Sequence, residues 1–463
     1  MCYIRQFFIS SFSLKTEYKI VRSVLLIGFF ISVLSTSFSQ NGFTLPEDSK
    51  KDKVRFELVN NLVVIPVEVN GTELSFLLDT GVNATILFGV SQEDSLELKN
   101  TRPLTIRGLG EGGSIEALRS RNNTVKIGDA VDTDHTIFVI FEQSLNLSPR
   151  MGLPVHGIIG FDFFKKFIVK TDYVVKKITF YKPDKYVPKA CRSCEVFDLT
   201  MFENKPYINI SISDLTTTKE VTMLIDSGSS DALWLFDEKN GITESPKNYF
   251  NDFLGLGLSG NIFGKRSRLK DMRLGDFILK DVNVAYPSAS AMDSVSFYKE
   301  RNGSLGGDIL KRFTVIMDYQ SRKMILKKNS YFNDPFYYNM SGLTVEHDGL
   351  VIVKDEKEVL DDLLNINQNS DSTGAIRITT QKVFSFFLAP RFIVADVRDD
   401  SPAARAGIET GDEIISINNK LAYRYKLYEL VNLFSSKVGK TITLVIERAG
   451  KQAKVKFNLE QVL

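Results

Sequence analysis

Residues 77–83 read LLDTGVN and residues 223–236 read MLIDSGSSDALWLF. Alone, Asp79-Thr80-Gly81 is compatible with an ordinary turn, where Asp and Gly are favoured for local hydrogen bonding and free φ. The second copy changes that reading. Asp226 follows Asp79 by 147 residues, and the same shift places Gly108-Leu109-Gly110 of TIRGLGEGG on Gly255-Leu256-Gly257 of NDFLGLGLSG, and Gly128-Asp129 on Gly275-Asp276. One residue is then lost. IIGFDFFKKFIVKTDY from Ile158 lies over SLGGDILKRFTVIMDY from Ser304 at a shift of 146, so that Gly160 meets Gly306 and Asp162 meets Asp308. A collinear register of glycines and apolar runs identifies a duplicated unit rather than a chance tripeptide.

Between these landmarks lie LVVIPVEV, LSFLL, YINISIS and VTMLI, rich in β-branched residues and broken by Gly, Asn and Asp. They read as strands. Only FDFFKKF and GDILKRF have the apolar spacing of a short helix. The expectation is a mainly β protein with one lobe over residues 53–186 and its copy over 195–330, joined by the segment containing Cys191 and Cys194.

A carboxylate on a tight turn does little by itself at neutral pH. Two held within about 3 Å cannot both ionise and share a proton, so that one takes a proton from water while the other donates to a carbonyl oxygen. Two lobes meeting across a pseudo-two-fold axis are the simplest way to bring Asp79 and Asp226 together.

On these residues the duplicated region resembles a fused pair of retropepsin-like aspartic protease subunits, over more than half of the chain. The resemblance implies two homologous β-barrel lobes in pseudo-two-fold arrangement. Asp79 and Asp226 would be catalytic. Thr80 and Ser227 would bond across the lobe interface, and Gly81 and Gly228 would permit the tight loop backbone. The hairpins carrying Gly108, Leu109, Gly110 and Gly255, Leu256, Gly257 would act as flaps over a bound peptide; the alternative reading is an ordinary turn. Two departures stand out: Ser304-Leu305-Gly306 replaces the apolar Ile158-Ile159-Gly160, and the first flap has no tyrosine of the pepsin kind. After the catalytic glycines stand Val82 and Ser229. The Ser229 hydroxyl is expected to donate to Asp226, whereas Val82 offers nothing or serves the core.

At the N-terminus, Lys15, Lys19 and Arg22 precede SVLLIGFFISVL and then the small residues Ser37 and Ser39. This is the pattern of a signal peptide over residues 1–39, implying a periplasmic or secreted protein. The alternative is an uncleaved anchor, although the run is shorter than the roughly 20 residues that span a bilayer. Cleavage removes a net +3 and turns the formal +2 into −1, which gives no reason to expect a nucleic-acid partner. It also removes Cys2, leaving Cys191 and Cys194 as a small disulfide loop or as a redox or zinc pair. His135, His156 and His347 form no i, i+4 pair, read as surface or loop histidines, and leave neither a metal site nor a cofactor to expect.

Composition shifts after NDPFYYNMSG, and residues 341–463 carry FIVADVRDDSPAARAGIETGDEIISINN at 392–419. That stretch resembles the core of a bacterial PDZ domain, an α+β module: a strand to Val397, Ser401 as N-cap before Pro402, a helix ended by Gly407, and a turn at Gly411-Asp412 into EIISIN. YKLYELVNLFSS would be the groove helix and TITLVIER a later strand. PDZ domains add an extended peptide to a sheet edge, so a C-terminal peptide ligand is expected. The glycine-containing carboxylate loop is replaced by FSFFLAPRF, and NINQNSDSTG reads as an exposed insertion.

The combined expectation is an exported aspartic endopeptidase acting on peptide or protein substrates, with a PDZ domain that recruits or regulates them. The competing reading is a catalytically silent peptide-binding scaffold. A redox protein built on Cys191 and Cys194 would explain neither the repeat nor the C-terminal third.

Overall fold

The computed structural model describes residues 42–463 except 90–95, 111–112, 143–144, 189, 214–216, 237–245, 293–297 and 361–379. The signal-peptide reading, Cys2, the hairpin residues 111–112 and the insertion at 365–374 lie outside the described residues.

Each repeat folds into an eight-stranded sheet. The first runs, in spatial order, Glu57–Val59, Leu62–Val69, Thr72–Leu78, Gly157–Ile159, Thr85–Leu87, Ala130–Ile140, Ile115–Ile127 and Arg102–Ile106. The second runs Thr200–Phe202, Lys205–Ser213, Thr218–Ile225, Arg301–Leu305, Leu233–Leu235, Phe277–Pro287, Gly260–Leu274 and Phe250–Gly257, the same order element for element. In each sheet the second strand also pairs with the seventh, through Glu68↔Lys126 and through Ile212↔Met272, so the sheet curls back on itself. The cause is visible in the burial of Leu62–Val69, which hides its apolar residues while Pro66 faces solvent. Full burial of each such Val, Ile or Phe contributes roughly 1.5–3 kcal/mol over exposure.

A third sheet joins the lobes. Ile168–Asp172 pairs antiparallel with Phe313–Asp318, and Lys177–Tyr181, Lys51–Arg55, Lys323–Lys328 and Cys194–Asp198 extend it on either side. Phe163, Phe180 and Phe313 are fully buried in the core that runs through both lobes. Packing continues past residue 330: the Arg312 guanidinium is buried, lies 3.6 Å from the centre of the Phe336 ring and donates to the Asp334 carbonyl. Cys191 and Cys194 are joined by a disulfide, with Cα atoms 5.4 Å apart, at the entry to the last of these strands.

The C-terminal region has its own core around Phe392, Leu430, Phe434 and Leu444. Ser401 caps the helix Pro402–Arg405 by accepting from the Ala404 amide, and Gly407 follows in the left-handed region at φ +84°. The strands Leu343–Leu360 and Thr380–Val397 form a long antiparallel ladder, and FSFFLAPRF lies within it as strand. Among the described residues no helix is long and apolar enough to cross a membrane.

Candidate active site

Asp79 and Asp226 sit at the ends of Thr72–Leu78 and Thr218–Ile225, each fixed by its own amide. The Asp79 N–H donates to the Ile159 carbonyl and the Asp226 N–H to the Leu305 carbonyl, both at 2.9 Å. The residues that follow lock the loops together. Thr80 Oγ1 donates to the Ile225 carbonyl at 2.7 Å and Ser227 Oγ donates to the Leu78 carbonyl at 2.9 Å. Each hydroxyl also accepts the other residue's amide, at 3.0 and 3.1 Å. Both side chains are buried, so losing one partner would strand polar groups at about 1–3 kcal/mol each.

The carboxyls converge. A Cβ placed on Gly81 would lie 3.0 Å from Asp226 Oδ1 and 3.2 Å from Asp79 Oδ1, so both border one small space. A Cβ on Gly228 would overlap Asp79 Oδ2, which is why only glycine fits there. Asp79 Oδ1 accepts from the amides of Gly81 at 2.6 Å and Gly228 at 3.1 Å. Burial and the neighbouring Asp226 charge push the Asp79 carboxyl up to about 7, against the pull of those amides and of Lys205. Burial also raises Asp226, but Arg301, Lys205, the Gly228 amide and the Ser304 hydroxyl all oppose it.

Arg301 and Lys205 are absent from the sequence expectation, and Ser304 is not among its site residues. Arg301 is 4 % exposed, donates to the Ser304 hydroxyl at 2.6 Å and to the Gly303 carbonyl at 3.0 Å, and rests on the Phe236 ring. The signal was in the repeat: a serine at an apolar position, read above only as a missing part of the apolar pair. The Ser229 expectation is corrected. Its backbone bonds Asp226 and Gly307, but among the described residues no bond runs from its hydroxyl to Asp226, and the serine that pulls the Asp226 carboxyl down is Ser304. Val82 packs against the first lobe's apolar cluster.

The hairpin tips meet each other. The Ser259 amide donates to the Leu109 carbonyl at 2.8 Å and the Gly108 amide donates to the Ser259 hydroxyl at 3.0 Å. Leu109 packs against the Trp234 cluster of the second lobe, while Leu256 and Leu258 pack against the cluster of the first. Gly110, at φ +126°, allows this approach: a Cβ there would lie 2.6 Å from the Ser259 carbonyl carbon.

The surface-or-loop reading of the histidines is corrected at His135. It is buried within the strand Ala130–Ile140, its Nδ1 2.7 Å from Asp132 Oδ2 and its Nε2 2.7 Å from Thr85 Oγ1. Thr85 is itself fully buried, so this row of Asp, His and Thr is closed to any substrate and serves the core. Burial works against the Asp132 charge, yet the His135 hydrogen bond and charge hold that carboxyl below its usual range. His156 accepts from the Ser75 amide, and His347 packs edge-on against Phe392.

Comparison with known proteins adds the following. Residues 65–163 match the aspartyl protease family model, a match that includes Asp79 and ends before Asp226, and residues 393–448 match the PDZ domain model. A protein of Mesorhizobium japonicum named as a zinc metalloprotease is 40% identical over 63 residues, 14% of this chain, and the chain spans only 17% of that relative's length. The crystal structure of an aspartic proteinase from Irpex lacteus aligns at a TM-score of 0.37 with 13% identity, over 61% of this chain and 99% of that one. This mainly β chain therefore carries an aspartyl-protease domain match in its first lobe and a PDZ domain match in its last third.

Proposed function

We propose that this chain is an exported aspartic endopeptidase in which Asp79 and Asp226 act on a water held between them. What carries the reading is the convergence of two carboxyls, one from each repeat, on one small space behind the reciprocal Thr80 and Ser227 bonds. With one proton shared at near-neutral pH, one carboxylate takes a proton from the water as its oxygen adds to the peptide carbonyl. The other gives its proton to the carbonyl oxygen. The hairpins around Gly108–Gly110 and Gly255–Gly257 open to admit the peptide and then exclude bulk water, which strengthens every charge interaction inside. The PDZ domain recruits peptide or protein substrates, and residues 1–39 direct export.

The test is digestion of a mixed peptide library by residues 40–463, beside Asp79→Asn and Asp226→Asn. The parent is expected to cleave and each variant to lose nearly all activity, without additivity in the double variant, because the two groups act as one unit. Near-parental cleavage by either single variant would remove the assignment.

A further inference from the structure

The two halves of the site are built alike in backbone and unlike in charge. Tyr207 lies opposite Leu224 as Val64 lies opposite Leu77, so Lys205 takes the place of Leu62 two residues earlier. Ser304 lies opposite Leu224 as Ile158 lies opposite Leu77. Three residues before them stand Arg301 in the second lobe and Val155 in the first. Behind Asp79 the side chains of Leu62, Val64, Val155 and Ile158 therefore form an apolar cluster. Behind Asp226 the corresponding space holds two cations, a serine and a tyrosine.

We infer that Arg301 and Ser304, together with Lys205, are positioning residues that keep Asp226 the ionised member of the pair and leave the shared proton on Asp79. The inference rests on the reading of these two residues as a dyad. Its basis is geometric. A guanidinium is always charged, and Arg301, fixed by the Gly303 carbonyl, donates to Ser304 Oγ at 2.6 Å. That leaves the serine's own proton free for Asp226, which the bond from its N–H to the neighbouring Leu305 carbonyl holds beside this segment and whose carboxyl Arg301 and Ser304 both pull down. Among the described residues Asp79 has two amides but no side-chain donor and no arginine pulling its carboxyl down.

The other groups facing the pair do not reverse this bias. Lys205 acts on both carboxylates. Glu203 acts on Lys205 and Tyr207. The Tyr319 hydroxyl donates to the Thr80 carbonyl beside Asp79 and is held neutral by burial. The raised Asp79 carboxyl, against an Asp226 opposed by four neighbouring groups, points the same way.

The inference assigns the two roles. As the water oxygen bonds to the carbonyl carbon, its proton passes to Asp226. The carbonyl π pair moves to oxygen and takes the proton of Asp79. As the C–N bond then breaks, the amine nitrogen takes the proton from Asp226 and the diol returns one to Asp79, restoring the starting state.

The experiment follows the pH dependence of kcat/KM on a peptide cleaved from the mixed library, for the full mature chain and for Arg301→Met, Arg301→Lys and Ser304→Ala. Loss of the Arg301 charge or of the Ser304 hydroxyl is expected to move the acidic limb up by about one pH unit, a tenfold loss on that side, and the basic limb by less. Arg301→Lys is expected to restore most of the limb. In parallel, 13C-labelled aspartate NMR on the parent, Asp79→Asn and Asp226→Asn identifies which carboxyl keeps its proton to higher pH, independently of turnover. The inference is overturned if the folded Arg301→Met and Ser304→Ala proteins both keep the parental acidic limb. It is equally overturned if the resonance holding its proton longer disappears in Asp226→Asn. A parent that cleaves no peptide removes the peptidase reading, while the NMR titration still decides where the proton sits. Should Arg301→Met fail to fold, Ser304→Ala carries the kinetic test.

Discussion

At the residue scale the site consists of a few polar groups held against their preference for water, and this has a consequence for stability. With its carboxyl raised to about 7 in the fold from an ordinary 3.8, Asp79 holds a proton that the unfolded chain has already released. Between those values the native state binds more protons than the unfolded one, so stability falls as pH rises and levels off above the folded value. Asp79→Asn removes that dependence, and its amide oxygen can still accept from Gly81 and Gly228. The variant is therefore expected to be more stable than the parent at about pH 8 and to lose that advantage towards about pH 4. Urea unfolding at both pH values measures it. A variant less stable than its parent at the higher pH would show that Asp79 is not strained in the ionised state. Asp79 and Asp226 were legible in the sequence because Gly, Asp and hydroxyl residues recur in register. Arg301 and Lys205 were not, because 75 and 21 residues separate them from Asp226 and only the sheet brings them beside it.

At the scale of elements, short-range pattern and long-range pairing part company. LVVIPVEV, TITLVIER and the helix before Gly407 were readable from period and capping, which are local properties. The central sheet was not, since an alternating strand says which of its faces is buried and not which strand lies beside it. The pairing of Val169 with Met317 joins residues 148 apart. The flaps belong to the same class. Glycine spacing announced two hairpins, but the hydrogen bonds between Leu109 and Ser259 require both lobes in place. Gly110→Ala puts a methyl against the Ser259 backbone and a side chain at a φ it seldom adopts, so the tips are driven apart. The expected result is a rise of about tenfold in KM for a library peptide with a smaller change in kcat, since the dyad is untouched. Parental KM in a folded Gly110→Ala protein would mean that the tips do not help hold the peptide.

For the whole molecule the question is whether the C-terminal third stands apart from the lobes. From sequence, deletion of residues 341–463 is expected to change which proteins are cut more than it changes short-peptide cleavage, since no catalytic residue lies there. The structure adds a mechanical link. Arg150, in the short helix Ser148–Met151, lies with its guanidinium 4.6 Å from the centre of the Phe253 ring on the second flap strand, and its Nε is 3.6 Å from Glu346 of the PDZ region. Arg398 covers Phe250 on the same flap strand at 4.7 Å. A cleft of about 760 Å³, lined by Phe250, Phe253, Arg398 and Pro402, separates that strand from the PDZ fold. The link bears on the hairpin strand and not on Asp79 or Asp226, so on the proposed reading its loss changes how a peptide is gripped and leaves the bond-breaking step in place. Tyr338 must stay in any truncation, because its hydroxyl accepts from the Val284 amide within the second lobe. A chain ending at Asn339 is therefore expected to cleave a short peptide with kcat/KM lowered about 3–30-fold, mostly through KM, whereas Asp226→Asn loses nearly everything. Glu346→Gln in the full chain should show a fraction of the same KM effect, because a half-exposed ion pair contributes about 0–1 kcal/mol. If the truncated and folded chain is as inactive as Asp226→Asn, the PDZ region completes the active site; if its short-peptide kinetics equal the parent's, the contacts through Arg150 and Arg398 only hold the domains together.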